Sequence, residues 1–345
     1  MRNIDIYGTL GPMCGDVETL SAMFEEGMTG VRLNLSHVTL RESEDLINNL
    51  HRAAERSGVS AQLLIDMQGP ELRIGRMREP LDLKNGDRIF FTAGAEGTKA
   101  DIGLSANAVT VPETVLHALR AEQEVLLDDG KICARVEKSS SMSAEARVLR
   151  GGILSGRKSI AVPGTHIDAP TMTSADLKNI RYAAEYGVTA VMQPFVRNRE
   201  DLRKVRQSLD EAGAGNIGLF AKIENLDGVR QIDDLIPSCD QIVIARGDLG
   251  NAVSLWDLPG VQKFIAGRCR ASGRPFMVVT QMLASMEHSP VPTRAEVSDI
   301  FNAVLDGASS VMVTGETAVG RYPVKSIAYL ARTVHSALRW EDENL

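Results

Sequence analysis

Short apolar runs alternate with longer amphipathic stretches through most of the chain. The runs are IDIYGTL (4–10), GVRLNLS (30–36), AQLLIDM (61–67), TAVMQPF (189–195), GLFAKI (218–223), QIVIAR (241–246), PFMVVT (275–280) and SSVMVT (309–314). Most are continuous in Val, Ile, Leu and Ala rather than alternating, which is the pattern of a strand covered on both faces in a parallel sheet. Segments between them, such as DVETLSAMFEEG and REDLRKVRQSLDEAG, place apolar residues three and four apart, as an amphipathic helix does. Eight strand–helix units predict an α/β fold, a (β/α)8 TIM barrel.

One interval breaks this rhythm. About 120 residues separate Met67 from Ala190, far more than one crossover needs. Within it, LDLKNGDRIFFTAG, EQEVLLDDGKICARVEKS and AEARVLRGGIL alternate in short runs punctuated by Asn-Gly and Asp-Gly turn signals. The expected organisation is a barrel over 1–73 and 161–345, with a small all-β domain (74–160) inserted after the third strand. The helix SADLKNIRYAAEYG resumes the barrel, with Ser174 as its expected N-cap, and VKSIAYLARTVHSALRWEDENL forms one closing amphipathic helix.

Composition narrows the class. The chain has 345 residues, 43% of them hydrophobic, enough for a large core. A net charge of −7 without any run of five or six Lys/Arg argues against nucleic acid as the main partner. No apolar stretch reaches the roughly 18–20 residues of a membrane span, and the N-terminus lacks the apolar core of a secretory signal. Cys14, Cys133, Cys239 and Cys269 are far apart without metal-ligand spacing, so they read as reduced, buried thiols. A soluble, cytoplasmic protein is expected.

Charge collects where the apolar runs stop. GLFAKIENLDG ends in Lys222, Glu224 and Asn225, and IVIARGDLG in Arg246, Gly247 and Asp248. Strand alternation puts Lys222 and Glu224 on one side, with Ile223 opposite. Two carboxylates on adjacent strand ends suit a hard divalent cation such as Mg2+, and a nearby lysine suits a phosphoryl group or a polarised carbonyl. The plainer reading is a salt bridge at the barrel rim. As rim residues, Glu224 and Asp248 are expected to matter to the metal and little to the fold. Other strand ends carry Arg32, Asn34 and Ser36; Asp66, then Glu71 and Arg73; Thr280; and Thr314 with Glu316. In a (β/α)8 barrel these gather at the C-terminal face.

RLNLSH, GPELR, DDGKI, KIEN, IARGDLG, TQMLASM, PTRAEVSDI and AVLDGASSVMVTGETAVGRYP, met in the family's order, make the chain resemble the pyruvate kinase family from about residue 4 to 335. The resemblance implies phosphoryl transfer between phosphoenolpyruvate and ADP, giving pyruvate and ATP, with Mg2+ (or Mn2+) and K+ as cofactors and the inserted domain as a mobile lid. It implies that Lys222 and Arg32 hold the phosphoryl group, that Glu224 and Asp248 bind the divalent ion, and that the Gly247 and Asp248 N–H groups with Thr280 bind the carboxylate. Thr280 and Thr314 supply the hydroxyls associated with protonating the enolate. Asn34, Ser36, Asp66 and the Met67 carbonyl match the monovalent-cation ligands, with Glu71 matching the K+-dependent form. His37, Arg73 and Lys158 would face the nucleotide phosphates, and Pro12 the base. The chain resembles a short form without the family's C-terminal regulatory domain, and pairing through barrel faces implies a homodimer.

The resemblance is incomplete at Met67–Gln68, where the family usually has threonine and lysine, and at Val38, which replaces a usual glycine. Gln193–Pro194 stands where small residues are common, and Asn251–Ala252 lacks an expected glutamate. These departures keep open a related phosphotransferase for another 2-oxo or enol acid, or a non-catalytic ligand-binding homologue.

Overall fold

A computed structural model describes residues 2–36, 38–69, 72–93, 107–128, 130–165, 167 and 169–344. The chain forms two compact units, the first comprising Met1–Gly69, Thr171–Leu249 and Trp256–Leu345, the second Pro70–Pro170 with Gly250–Leu255.

The first unit is a closed barrel of eight parallel strands: β1 (Asp5–Thr9), β2 (Gly30–Asn34), β3 (Gln62–Asp66), β4 (Ala190–Gln193), β5 (Gly218–Ile223), β6 (Gln241–Ala245), β7 (Phe276–Val279) and β8 (Ser310–Met312). They neighbour one another in chain order, and β8 returns to β1 through the pairs Asp5↔Ser310 and Tyr7↔Met312. Because successive strand residues face opposite ways, each strand feeds two cores. Leu219, Ala221 and Ile223 of β5 join the layer that also holds the helix residues Leu202, Val205 and Leu209, whereas Phe220 joins the interior with Tyr7, Leu64, Met192, Val243, Met277 and Met312. The next inward position on β5 is Lys222. Side chains thus plug the barrel beneath a polar end.

Local chemistry sets the helix ends. Asp16 caps Val17–Glu25 by accepting from Thr19 N, and Gly58, at φ +65°, closes Glu44–Ser57. The helix Ser174–Tyr182 is capped one residue earlier than expected: Thr173, not Ser174, is the N-cap. Asp176 decides this, since its carboxylate accepts from Thr173 N at 2.8 Å while Thr173 Oγ1 accepts from Asp176 N at 3.1 Å, a capping box. The closing helix runs Pro323–Asn344. Among the described residues no helix is long and apolar enough to cross a membrane.

The second unit is a six-stranded sheet in the order Ile160–Ala161, Glu124–Leu127, Ile132–Ser139, Ser143–Arg150, Arg88–Ala93, Ala108–Val111, beside the pair Leu81–Leu83 and Gly152–Leu154. Its alternating strands bury Phe91, Val109, Val125, Ala134 and Val148 in their own core. The turn glycines Gly86 and Gly130 sit at φ +91° and +77°, as Asn-Gly and Asp-Gly signals require. This unit begins before residue 74, ends after 160 and takes in Gly250–Leu255, a join no local pattern signals. All four cysteines are free and buried. Burial pushes the thiol pKa of Cys14 up to about 11 and of Cys239 and Cys269 to about 12.

Candidate active site

Three strand ends deliver four charges to one place. Arg32 lies on β2, Asp66 ends β3, and Lys222 lies on β5 with Glu224 just beyond it. Arg32 Nη2 and Nε lie 2.7 and 2.8 Å from Asp66 Oδ2, and Lys222 Nζ lies 3.1 Å from Asp66 Oδ1. Lys222 Nζ also lies 2.9 Å from Glu224 Oε1. Two cations and two anions alternate, so the group is neutral as a whole, as buried charge must be to persist. Burial alone would push the Lys222 pKa down, but Asp66 and Glu224 outweigh it and hold it above its ordinary 10.5. Burial would likewise raise Asp66, but Lys222 and Arg32 hold its carboxyl below its ordinary 3.8.

Glu224 is no rim residue: it is 3% exposed. Its second oxygen accepts from Phe195 N at 2.8 Å, and Phe195 adopts φ +53° just past β4. A left-handed phenylalanine is costly unless its surroundings enforce it, so the fold strains β4's exit to satisfy this carboxylate. Asn225, next along, caps Leu226–Arg230 by accepting from Gly228 N at 2.8 Å.

Asp248 does not end a strand. β6 stops at Ala245, and Asp248 lies in the first turn of the helix Arg246–Ala252. Gly247 packs against Thr280: a Cβ added there would sit 3.1 Å from Thr280 Cγ2. Thr280 itself has φ +79° and Gln281 φ +56°. Thr314 N donates to Glu316 Oε2 at 2.6 Å, and Glu316 Oε1 accepts from Leu283 N at 3.0 Å, so one buried carboxylate ties the loops after β7 and β8. Asn34 and Asp66 are register partners, and Asn34 Oδ1 accepts from Ser36 N at 3.1 Å. Met67 buries its side chain in the outer core, leaving only its backbone for any ligand role. Pro12 lies exposed in a turn tethered by Met13 N to Ala318 O at 3.1 Å.

In the second unit, Arg73 Nη1 donates to Arg157 O at 2.8 Å, and Lys158 Nζ lies 2.8 Å from Asp128 Oδ1. His37 and Glu71 lie outside the described residues. No group of three or more His, Cys, Asp or Glu suited to a metal occurs among the described residues, so any divalent ion here would rely on few carboxylates plus water and substrate.

A family model described as pyruvate kinase, barrel domain, matches residues 1–327, which include all eight strands. The chain belongs to the pyruvate kinase barrel-domain family. The pyruvate kinase of Geobacillus stearothermophilus is 36% identical over 99% of this chain and 57% of its own length. That of Aeropyrum pernix is 36% identical over 95% of this chain and 69% of its own length, and that of Agaricus bisporus 35% over 96% and 63%. The chain thus spans little more than half the length of the first of these relatives.

Its departures from the usual pyruvate kinase pattern have local support. Gln68 N and Gly69 N donate to Asp176 Oδ1 and Oδ2 at 2.8 and 3.0 Å, so backbone groups hold this corner. Gly69, at φ +58°, packs so closely on Pro194 that an added Cβ would lie 2.3 Å from its Cγ. Gln193 Nε2 donates to the carbonyls of Thr171 and Pro194 at 2.8 and 3.0 Å. Asn251 Oδ1 would sit 2.7 Å from a Cβ on Gly130, so it packs against a turn of the second unit. Phe195 and Asp299 carry no local signal, because each matters through a partner on another element. Asp176 does carry one, since it stands three residues after Thr173 with the spacing of a capping box.

Proposed function

We propose that the chain transfers a phosphoryl group between phosphoenolpyruvate and ADP, yielding pyruvate and ATP. The observation that carries this reading is the buried neutral cluster Arg32–Asp66–Lys222–Glu224. Phosphoryl transfer asks the protein for positioning and charge stabilisation, and here both cations are held fixed before substrate arrives. Lys222 and Arg32 would take the phosphoryl oxygens, while the Gly247 and Asp248 N–H groups and the Thr280 hydroxyl take the carboxylate. Thr280 and Thr314 supply hydroxyls for handling the proton at the enolate carbon.

The donor set fits the implied ions. Each Glu224 oxygen accepts one described hydrogen bond, so lone pairs remain on both for a hard cation. Glu224 and Asp248 would hold Mg2+ or Mn2+, whose contribution when bound is Lewis-acid neutralisation of phosphoryl charge. Asn34, Ser36, Asp66 and the Met67 carbonyl, all oxygen donors on neighbouring strand ends, would hold K+. His37, Arg73 and Lys158 are assigned to nucleotide phosphates and Pro12 to the base. The four free buried cysteines suit a reducing, cytoplasmic setting.

A coupled assay for ADP-dependent pyruvate release with Mg2+ and K+ tests the reading. Turnover dependent on both cations is expected; no turnover with any cation pair, or a 2-oxo-acid analogue used better than phosphoenolpyruvate, would overturn it. We also assign the barrel a self-association face including Trp256, 83% exposed, and Phe264, 49% exposed. Sedimentation should show a dimer that Trp256→Glu and Phe264→Glu together convert to monomer; a monomeric parent chain would refute it.

A further inference from the structure

We propose that Arg246, anchored by Asp299, is a positioning residue that holds Thr280 in its left-handed backbone conformation and so fixes the threonine side chain over Gly247. This rests on the reading above for its catalytic consequence, though not for its structural one. A β-branched residue at φ +79° followed by Gln281 at φ +56° does not persist by local preference, because its Cβ crowds the backbone. Something must hold it. The Thr280 carbonyl accepts two hydrogen bonds from one guanidinium, from Arg246 Nε at 3.1 Å and Nη2 at 2.8 Å. The remaining nitrogen, Nη1, lies 2.6 Å from Asp299 Oδ2 on the helix Arg294–Leu305, and Nη2 also reaches Met282 Sδ at 3.0 Å.

This fork ties three elements together. Arg246 opens the helix that carries Gly247 and Asp248, Thr280 leaves β7, and Asp299 belongs to the helix after it. The side chain immediately preceding Gly247 therefore sets the backbone of the hydroxyl residue packed against that glycine. Only a planar group with donors in fixed directions can grip one carbonyl twice and a carboxylate at once, which a lysine ammonium cannot reproduce. Gly247 and Thr280 follow different strands, β6 and β7, so their spacing depends on such a brace between elements.

Two measurements test the proposal. In steady-state kinetics, Arg246→Lys, Arg246→Met and Asp299→Asn should each lower kcat/KM for phosphoenolpyruvate. The loss should be about 10²-fold for the arginine variants, of the size seen when one oriented donor is misplaced, and smaller for Asp299→Asn. KM for ADP should move less than about 2-fold, within the scatter of an interaction left intact. A merely structural role would lower thermal stability and leave both specificity constants of the folded fraction unchanged, and full rescue by Arg246→Lys would likewise refute the fork. The second measurement needs no turnover. Thr280→Gly removes the left-handed strain, so its effect on Tm should be about 2–4 °C more favourable with Arg246 present than in the Arg246→Met background. Equal shifts in both backgrounds would show that Arg246 does not hold Thr280. If Arg246→Met fails to fold, Arg246→Lys and Asp299→Asn supply the second background. Absence of phosphoenolpyruvate turnover in the parent chain would defeat the functional reading, while the Tm cycle would still decide the clamp.

Discussion

Lys222→Met is expected to lower kcat by about 10³-fold, the scale of losing a preorganised charge stabiliser at the reacting group. The ammonium is held ready by two carboxylates, Asp66 at 3.1 Å and Glu224 at 2.9 Å, so no solvent reorganisation precedes its use. The same pairing makes the substitution costly to the fold. It leaves Glu224 buried without a cation and Asp66 with Arg32 alone, and breaking a buried pair in this way destabilises by about 3–5 kcal/mol. In the parent protein Asp66 has a depressed pKa, so its contribution is present above 3.8 and lost as pH falls through its lower folded value. Lys222 has a raised pKa, so its contribution is present below 10.5 and lost only as pH rises through its higher folded value. Parent stability should therefore stay flat from this source across neutral pH. The variant, lacking the shared cation, should melt well below the parent at neutral pH. Melting curves of the two check the claim, and an equal Tm would mean that Lys222 does not neutralise these carboxylates.

Glu224→Gln and Asp248→Asn should each reduce metal-dependent turnover by about 10²-fold or more, since each removes one of the carboxylates assigned to the cation. Their effects on the fold should diverge. In Glu224→Gln the amide oxygen can still accept from Phe195 N, but Lys222 loses one counter-charge and the buried cluster gains a net positive charge. A loss of about 1–3 kcal/mol is expected, as for a charged hydrogen-bond partner removed in the interior. Asp248→Asn removes a carboxylate from the first turn of Arg246–Ala252 and should cost less, about 0.3–1 kcal/mol, the scale of a charge at a helix N-terminus. Mn2+ titration by electron paramagnetic resonance, with urea unfolding in parallel, separates the two. Undiminished Mn2+ affinity in both variants would place the ion elsewhere, and equal stability in both would contradict the burial of Glu224.

The alternation of GLFAKIEN already puts Lys222 and Glu224 on the same side, and the structure pairs them at 2.9 Å. Continuous apolar runs of about strand length are enough to predict eight buried parallel strands, because a strand covered on both faces has no polar face to show. Asn85–Gly86 announces its turn because glycine accepts the φ of +91° there at no steric cost. The quoted motifs are enough to identify the family.

The partners were a different matter. That Lys222 reaches Asp66, 156 residues away, follows from barrel closure, which brings β2, β3 and β5 to one mouth. Periodicity states which way a side chain faces, never which distant side chain it meets. The left-handed Phe195 and Thr280 are invisible for the same reason: their residue types disfavour that conformation, and Glu224 and Arg246, arriving from other elements, enforce it. The burial of Glu224, the placement of Asp248 in a helix and the joining of Gly250–Leu255 to the second unit are likewise outcomes of packing, where energy depends on neighbours in space rather than in sequence.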